Sequence, residues 1–366
     1  MRIPNLLLVR PPTEIRYQLA TLAAAAVLLI AACGGETPSP PPASTPDATP
    51  GSATTAPLEA GDVRFLLARR NAIENLTLSG QQAILVALED NTRILEMALS
   101  PDQSQLAFVV ELAAYTNDDG QLDFGADLYV SDVDGGNLRL LLPHETVGDY
   151  FEAPAWLDDS TLLVGWRGFD ASGSTSRIQR VDVAAGTSEV LLPDAAMGGL
   201  SPDRSTIVYS TIDPATRVQR LVIEDVAADD APRVLVDEND GLALFSAVAF
   251  SPDAAQLAFA AVDLEASLFS GDRAVAPRMG RPFVPSSAAL HPFAQDVWLI
   301  NPADGAGLHR IADIAENMPS VSWSGDGRAL YVLGPGFLWR LDPATGAAEM
   351  LRESGERGAI IWLEGS

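Results

Sequence analysis

The stretch VAFSPDAAQLAFAA, Val248 to Ala261, reads as a short apolar strand, a Ser-Pro-Asp turn and a second apolar strand. Pro252 presets φ for the second position of a turn and Asp253 can bond its own backbone, so the chain reverses there. The phrase returns as MALSPDQSQLAFVV at Met97 to Val110 and as GGLSPDRSTIVYS at Gly198 to Ser210. Two further copies depart at the turn: PAWLDDSTLLVGW at Pro154 to Trp166 has Leu157-Asp158-Asp159, and VSWSGDGRALYVL at Val321 to Leu333 has Ser324-Gly325-Asp326. AIIWLEG, Ala359 to Gly365, holds only the first half. The aligned bulky residue before the turn is Leu99, Trp156, Leu200, Phe250, Trp323 and Trp362 in turn.

After each complete phrase comes a second hairpin, such as LYVSDVDGGNLRLLL at Leu128 to Leu142 or IQRVDVAAGTSEVLL at Ile178 to Leu192. β-branched residues alternating with polar ones support strands on both sides of its turn. Each repeat is therefore four antiparallel strands, which cannot bury both faces alone and must stack on neighbours. Residues 60–366 divide into six such units of about 50 residues. Asp62 to Leu88 supplies three strands with no preceding turn phrase, and Ala359 to Leu363 supplies one strand with nothing after it. The expectation is an all-β, six-bladed β-propeller of four-stranded antiparallel blades, closed by a composite blade of N-terminal and C-terminal strands, which leaves no open edge. The Ser-Pro-Asp phrases resemble the WD-repeat-like repeat of TolB-type propellers and of prolyl-oligopeptidase-type enzymes. The resemblance covers nearly all of residues 60–366. Neither the α/β domain that precedes the propeller in TolB nor the hydrolase domain of the oligopeptidases is expected within this chain.

Residues 1–32 read as an export signal: Arg2, Arg10 and Arg16 precede the apolar run Leu19 to Ala32, which is short for a bilayer span of about 20 residues. The run ends Ile30-Ala31-Ala32-Cys33, and Cys33 is the sole cysteine. This resembles the bacterial lipobox, which implies lipidation of Cys33 and tethering of the mature protein to the membrane outside the cytoplasm. Residues 33–59 then form a Pro/Ser/Thr-rich linker that is too poor in large apolar residues to offset its ordering entropy. With Cys33 modified, no disulfide forms, and stability rests on packing.

The chain carries 23 basic residues, all Arg, against 49 acidic ones, a net charge of −26. Such a balance repels phosphate backbones, so nucleic acid is excluded as a partner. There is no G-x-S-x-G elbow, P-loop or dinucleotide fingerprint, and none of His144, His291 and His309 lies in a catalytic phrase. No catalytic residue and no cofactor is assigned, and the chain is read as a non-enzyme.

By antiparallel geometry the turn phrases lie at one end of the sheets and the second-to-third-strand connections at the other. Three long connections share that other end: Glu111 to Ala126, Gly168 to Ser176 and Val262 to Gln295, and long loops are where binding residues concentrate. The longest holds Arg273, Arg278 and Arg281 with Phe283 and Phe293, the Arg-plus-aromatic chemistry of interface hot spots. Asn117, Asp118, Asp119 and Asp123 form the one calcium candidate, but they lack the alternation and terminal Glu of an EF-hand, so a solvated turn is the preferred reading. The functional expectation is a lipid-anchored, monomeric scaffold at the cell envelope that binds a protein or polymer through its long-loop face. The alternative is a small-ligand or glycan binder that uses the central channel, with or without hydrolytic activity.

Overall fold

A computed structural model describes residues 64–116, 122–170, 173–213, 218–227, 231–264, 294–354 and 358–363. All belong to one compact unit, Pro46–Asp213 with Val218–Ser366. Among the described residues no helix is long and apolar enough to cross a membrane.

The strands run in order β1 (Arg64–Arg69), β2 (Ala72–Thr77), β3 (Gln82–Ala87), β4 (Thr92–Leu99), β5 (Gln105–Thr116), β6 (Leu122–Asp132), β7 (Arg139–Leu142), β8 (Tyr150–Asp158), β9 (Thr161–Asp170), β10 (Gly173–Asp182), β11 (Thr187–Pro193) and β12 (Ala195–Leu200). They continue with β13 (Thr206–Ile212), β14 (Gln219–Asp225), β15 (Arg233–Val236), β16 (Leu242–Phe250), β17 (Leu257–Asp263), β18 (Gln295–Ile300), β19 (His309–Glu316), β20 (Ser320–Trp323), β21 (Leu330–Leu333), β22 (Phe337–Leu341), β23 (Ala348–Glu353) and β24 (Gly358–Leu363). Four sheets are four-stranded: β24-β1-β2-β3, β12 to β15, β16 to β19 and β20 to β23. The sets β4 to β7 and β8 to β11 form one larger sheet, joined by a single parallel bridge between Ala126 and Tyr150. This merger departs from the expectation of separate units. It arises because β6 extends past its outer neighbour β7, leaving Ala126 free to meet Tyr150 at the start of β8.

The last strand pairs antiparallel with the first over Arg64–Arg69 and Gly358–Leu363, as a composite unit requires. First strands of successive sets lie side by side: β4 against β8, β8 against β12, β12 against β16, β16 against β20, β20 against β24 and β24 against β4. Apolar clusters fill the spaces between consecutive sets. Phe65 and Leu67 meet Tyr331 and Leu333, for example, while Trp156 and Val164 meet Val109 and Leu128.

The turn chemistry repeats to the atom. Ser100, Ser201, Ser251 and Ser324 are buried, and each hydroxyl donates to the aspartate two residues on, Asp102, Asp203, Asp253 or Asp326, at 2.6–2.7 Å. The same serine oxygen accepts the backbone N–H five residues on, from Gln105, Thr206, Gln256 or Ala329. Ser324-Gly325-Asp326 thus keeps the geometry without the proline. The connection from β8 to β9 is shorter, and there Asp158 caps Ser160 instead.

The outer strands hold a feature that alternation does not reveal. In every set the pairing of third and fourth strands slips by one residue, leaving Leu85, Leu141, Leu191, Leu235, Ile311 or Leu351 unpaired on the fourth strand. Each of these side chains packs into an apolar cluster. The residue before it turns outward, so Ile84, Leu140, Val190, Val234 and Met350 are exposed. A bulge twists an edge strand and hinders edge-to-edge pairing with another molecule.

Candidate interaction face

At the end opposite the turn phrases, the connections expected as loops are largely strand. β5 and β6 stay paired out to Thr116 and Leu122, and β9 and β10 pair out to Asp170 and Gly173. Two long hairpins therefore stand side by side on this end, in place of the loops expected over Glu111 to Ala126 and Gly168 to Ser176. β17 ends at Asp263 and β18 begins at Gln295 on the same end, so the connection carrying the arginines leaves and returns there.

The base of the first hairpin is held by His144, in the link from β7 to β8. Its Nδ1 lies 2.6 Å from Asp127 Oδ1 and its Nε2 lies 3.2 Å from Asp123 Oδ1, while its backbone N–H donates to Asp127 Oδ1 at 2.7 Å. Burial works against a charged imidazole, but the bonds to Asp127 and Asp123 outweigh it and hold the pKa above the ordinary histidine value. Both ring nitrogens face carboxylates, so His144 ties the link to β6 and has no nitrogen left to act as a base. Gly125 makes the approach possible, since a Cβ there would sit 2.7 Å from His144 Cδ2. The next turn of the link is closed by Asp149, whose Oδ2 accepts the Thr146 N–H and whose carbonyl accepts the Ala126 N–H, both at 3.0 Å.

Beside this clamp, ionic and aromatic side chains line the start of β4 and β8. Arg93 Nε donates to Glu111 Oε2 at 2.9 Å, and Arg167 lies 5.8 Å from the Tyr150 ring and 3.6 Å from Glu152 Oε2. Burial and the nearby Glu111 push the Tyr150 hydroxyl pKa up. On the second hairpin Arg177 stacks over Trp166 at 3.7 Å. Farther round, Leu244 sits at φ 56° in β16, with its side chain 42 % exposed. Its N–H donates to Gln219 Oε1 at 2.7 Å, and its carbonyl accepts from Gln295. Buried Glu316 reaches from the end of β19 to the β21–β22 connection, accepting from the Gly336 N–H at 3.1 Å and from Trp339 Nε1 at 3.2 Å. Burial raises its pKa above the usual carboxylate range, with those two bonds opposing.

Of the residues singled out in the sequence, Cys33, Arg273, Arg278, Arg281, Phe283, Phe293, Asn117, Asp118 and Asp119 lie outside the described residues. Asp123 is described, and its Oδ1 contacts His144. Among the described residues no group of three or more His, Cys, Asp and Glu could hold a metal ion. The His144 clamp was missed because its two carboxylates lie 21 and 17 residues upstream, in a strand with no signature of its own. Leu244 was missed because left-handed backbone at a leucine has no sequence signal.

The chain is similar in structure to TolB from Acinetobacter baumannii, with a TM-score of 0.54 and 13 % identity over 82 % of this chain and 66 % of that one. It is also similar to a protein assigned as TolB from Agrobacterium tumefaciens, with a TM-score of 0.51 and 14 % identity over 83 % of this chain and all of that one. The chain thus spans just under two thirds of the length of the Acinetobacter protein. No protein-family model and no curated sequence matches the chain. These likenesses establish the fold, a TolB-type all-β propeller of antiparallel sheets, and nothing beyond it.

Proposed function

We propose that this chain is a six-bladed β-propeller, tethered outside the cytoplasm through a lipidated Cys33, that serves as a non-catalytic interaction module at the cell envelope. The blade count is supported by the unbroken succession of first-strand contacts from β4 round to β24 and back, and ring closure by the β24–β1 pairing. The anchor is supported by the Ile30-Ala31-Ala32-Cys33 run behind an apolar, arginine-flanked leader. More than one acyl chain gives stable anchoring, since each buried methylene adds about 0.8 kcal/mol.

The observation that carries the binding face is the placement of the two projecting hairpins, β5–β6 and β9–β10, on the end from which the Arg273, Arg278 and Arg281 connection departs. An envelope protein or polymer is the partner. The alternative is a small-ligand or glycan binder that uses the central channel.

The test is capture from native membranes with the full chain as bait beside its Arg273→Ala, Arg278→Ala, Arg281→Ala variant. A partner held by the wild type and lost by the variant supports the reading. Equal capture by both removes the arginine connection from the interface.

A further inference from the structure

We propose that the turn-bearing end of the propeller is a second docking surface, which takes a cationic segment of a partner protein and receives one apolar side chain in a cleft walled by Trp362. The cleft is lined by Leu99, Gln103, Pro252, Gly325, Trp362 and Leu363. These come from the ends of β4 and β24 and from the turns after β4, β16 and β20, so the cleft lies where first strands converge. It is too small for a whole metabolite and suits a single side chain.

Trp362 stands apart from the tryptophans at aligned positions. Trp156 and Trp323 are buried, and each donates its indole N–H to the carbonyl of the preceding first strand, Ala98 or Ala249. Trp362 is instead half-buried and forms part of the cleft wall. A partly exposed tryptophan beside Leu99 and Leu363 is an anchor point of the kind interfaces use.

The rim fixes the charge of the occupant. Asp102, Asp203, Asp253 and Asp326 are exposed around this end. Hydrogen bonds from the turn serines and backbone N–H groups lower the pKa of all four carboxyls and so favour their charged form. The turn bonds of Asp203 and Asp253 use Oδ1. Cations are few here: Arg204 donates to the Trp156 carbonyl, Arg328 lies 3.9 Å from Asp326 Oδ2, and Arg64 sits across from Leu363. Such a surface repels a second copy of itself. A segment with Arg or Lys on either side of an apolar residue matches both the rim and the cleft.

The experiment titrates the full chain with acetyl-RRLRR-amide and acetyl-RRGRR-amide by calorimetry. The leucine peptide is expected to bind saturably and about tenfold more tightly than the glycine peptide, the ratio that burial of one leucine supplies. Trp362→Ala should abolish that preference, while Trp362→Phe, which keeps a ring, should retain it. The triple variant Asp102→Asn, Asp253→Asn, Asp326→Asn keeps an acceptor oxygen in each turn and should weaken both peptides and flatten their salt dependence. Equal affinity of the two peptides for the wild type, an unchanged preference in Trp362→Ala, or no saturable binding at millimolar peptide overturns the proposal. Far-UV circular dichroism of each variant confirms that the fold persists.

Discussion

The indole Nε1 of Trp323 donates to the carbonyl of Ala249 at 3.1 Å, bonding β20 to β16, the first strand of the set before it. Trp156 makes the same bond to Ala98 at 3.2 Å, from β8 to β4. Neighbouring first strands share no ladder here, so their facing backbone groups need side-chain partners. Ser320 and Ser322 serve the next junction in the opposite sense, accepting from the Ile360 and Trp362 N–H groups.

Trp156→Phe keeps most of the apolar contact but leaves the Ala98 carbonyl without its donor. The expected loss is about 1–3 kcal/mol in urea unfolding. Trp156→Ala, at a side chain only 1 % exposed, should cost about 3–5 kcal/mol.

The turn phrases store backbone strain at a defined position. Gln103, Arg204, Ala254 and Gly327 occupy the same place in their turns, with φ of 59°, 64°, 57° and 69°. Ala254→Gly should therefore raise stability by about 0.5–1 kcal/mol, and Gly327→Ala should lower it by a similar amount. A Cβ at Gly327 meets nothing closer than Pro252 at 3.7 Å, so backbone conformation alone sets the second effect. Opposite shifts in thermal midpoint check the pair.

His144 makes stability depend on pH above the ordinary histidine pKa. Its folded pKa is raised by Asp127 and Asp123, so its contribution is complete below the unfolded value of about 6.5 and fades as pH rises through the folded value. Urea midpoints should fall from pH 6 toward pH 9 more steeply for the wild type than for His144→Gln. Parallel profiles would remove the clamp.

Glu316 behaves in the same direction for a different reason. Burial raises its folded pKa, so the carboxylate favours folding least once ionised, and its stabilising effect declines as pH rises from about 4.5 through the folded value. Glu316→Gln removes the titrating group and should flatten this decline, and its single carbonyl oxygen keeps an acceptor for one of the two donors, Gly336 or Trp339. Glu316→Ala leaves those donors unpaired and should be the less stable of the two by about 1–3 kcal/mol.

What could be read from the sequence was what local chemistry enforces. Ser100, Asp102 and their counterparts declare themselves because a turn needs those atoms, and even Ser324-Gly325-Asp326 keeps the geometry. The outer-strand bulges were not legible: nothing in the sequence separates consecutive Leu140 from Leu141, yet one is 44 % exposed and the other 6 %. Nor was the length of β5 and β6, where the polar Asn117 to Gly120 turn suggested a loop reaching back to Glu111. His144 needed the third dimension, because its two aspartates meet it only once the β7–β8 link folds onto β6.

The binding face is tested most directly by placing a photoreactive residue at Thr175, exposed on the second hairpin and paired with Gly168, or at Val190, 54 % exposed on an outer strand. In native membranes, Thr175 should crosslink one partner, and the Arg273→Ala, Arg278→Ala, Arg281→Ala background should abolish that product. Crosslinking of that partner at Val190 with none at Thr175 would contradict the account.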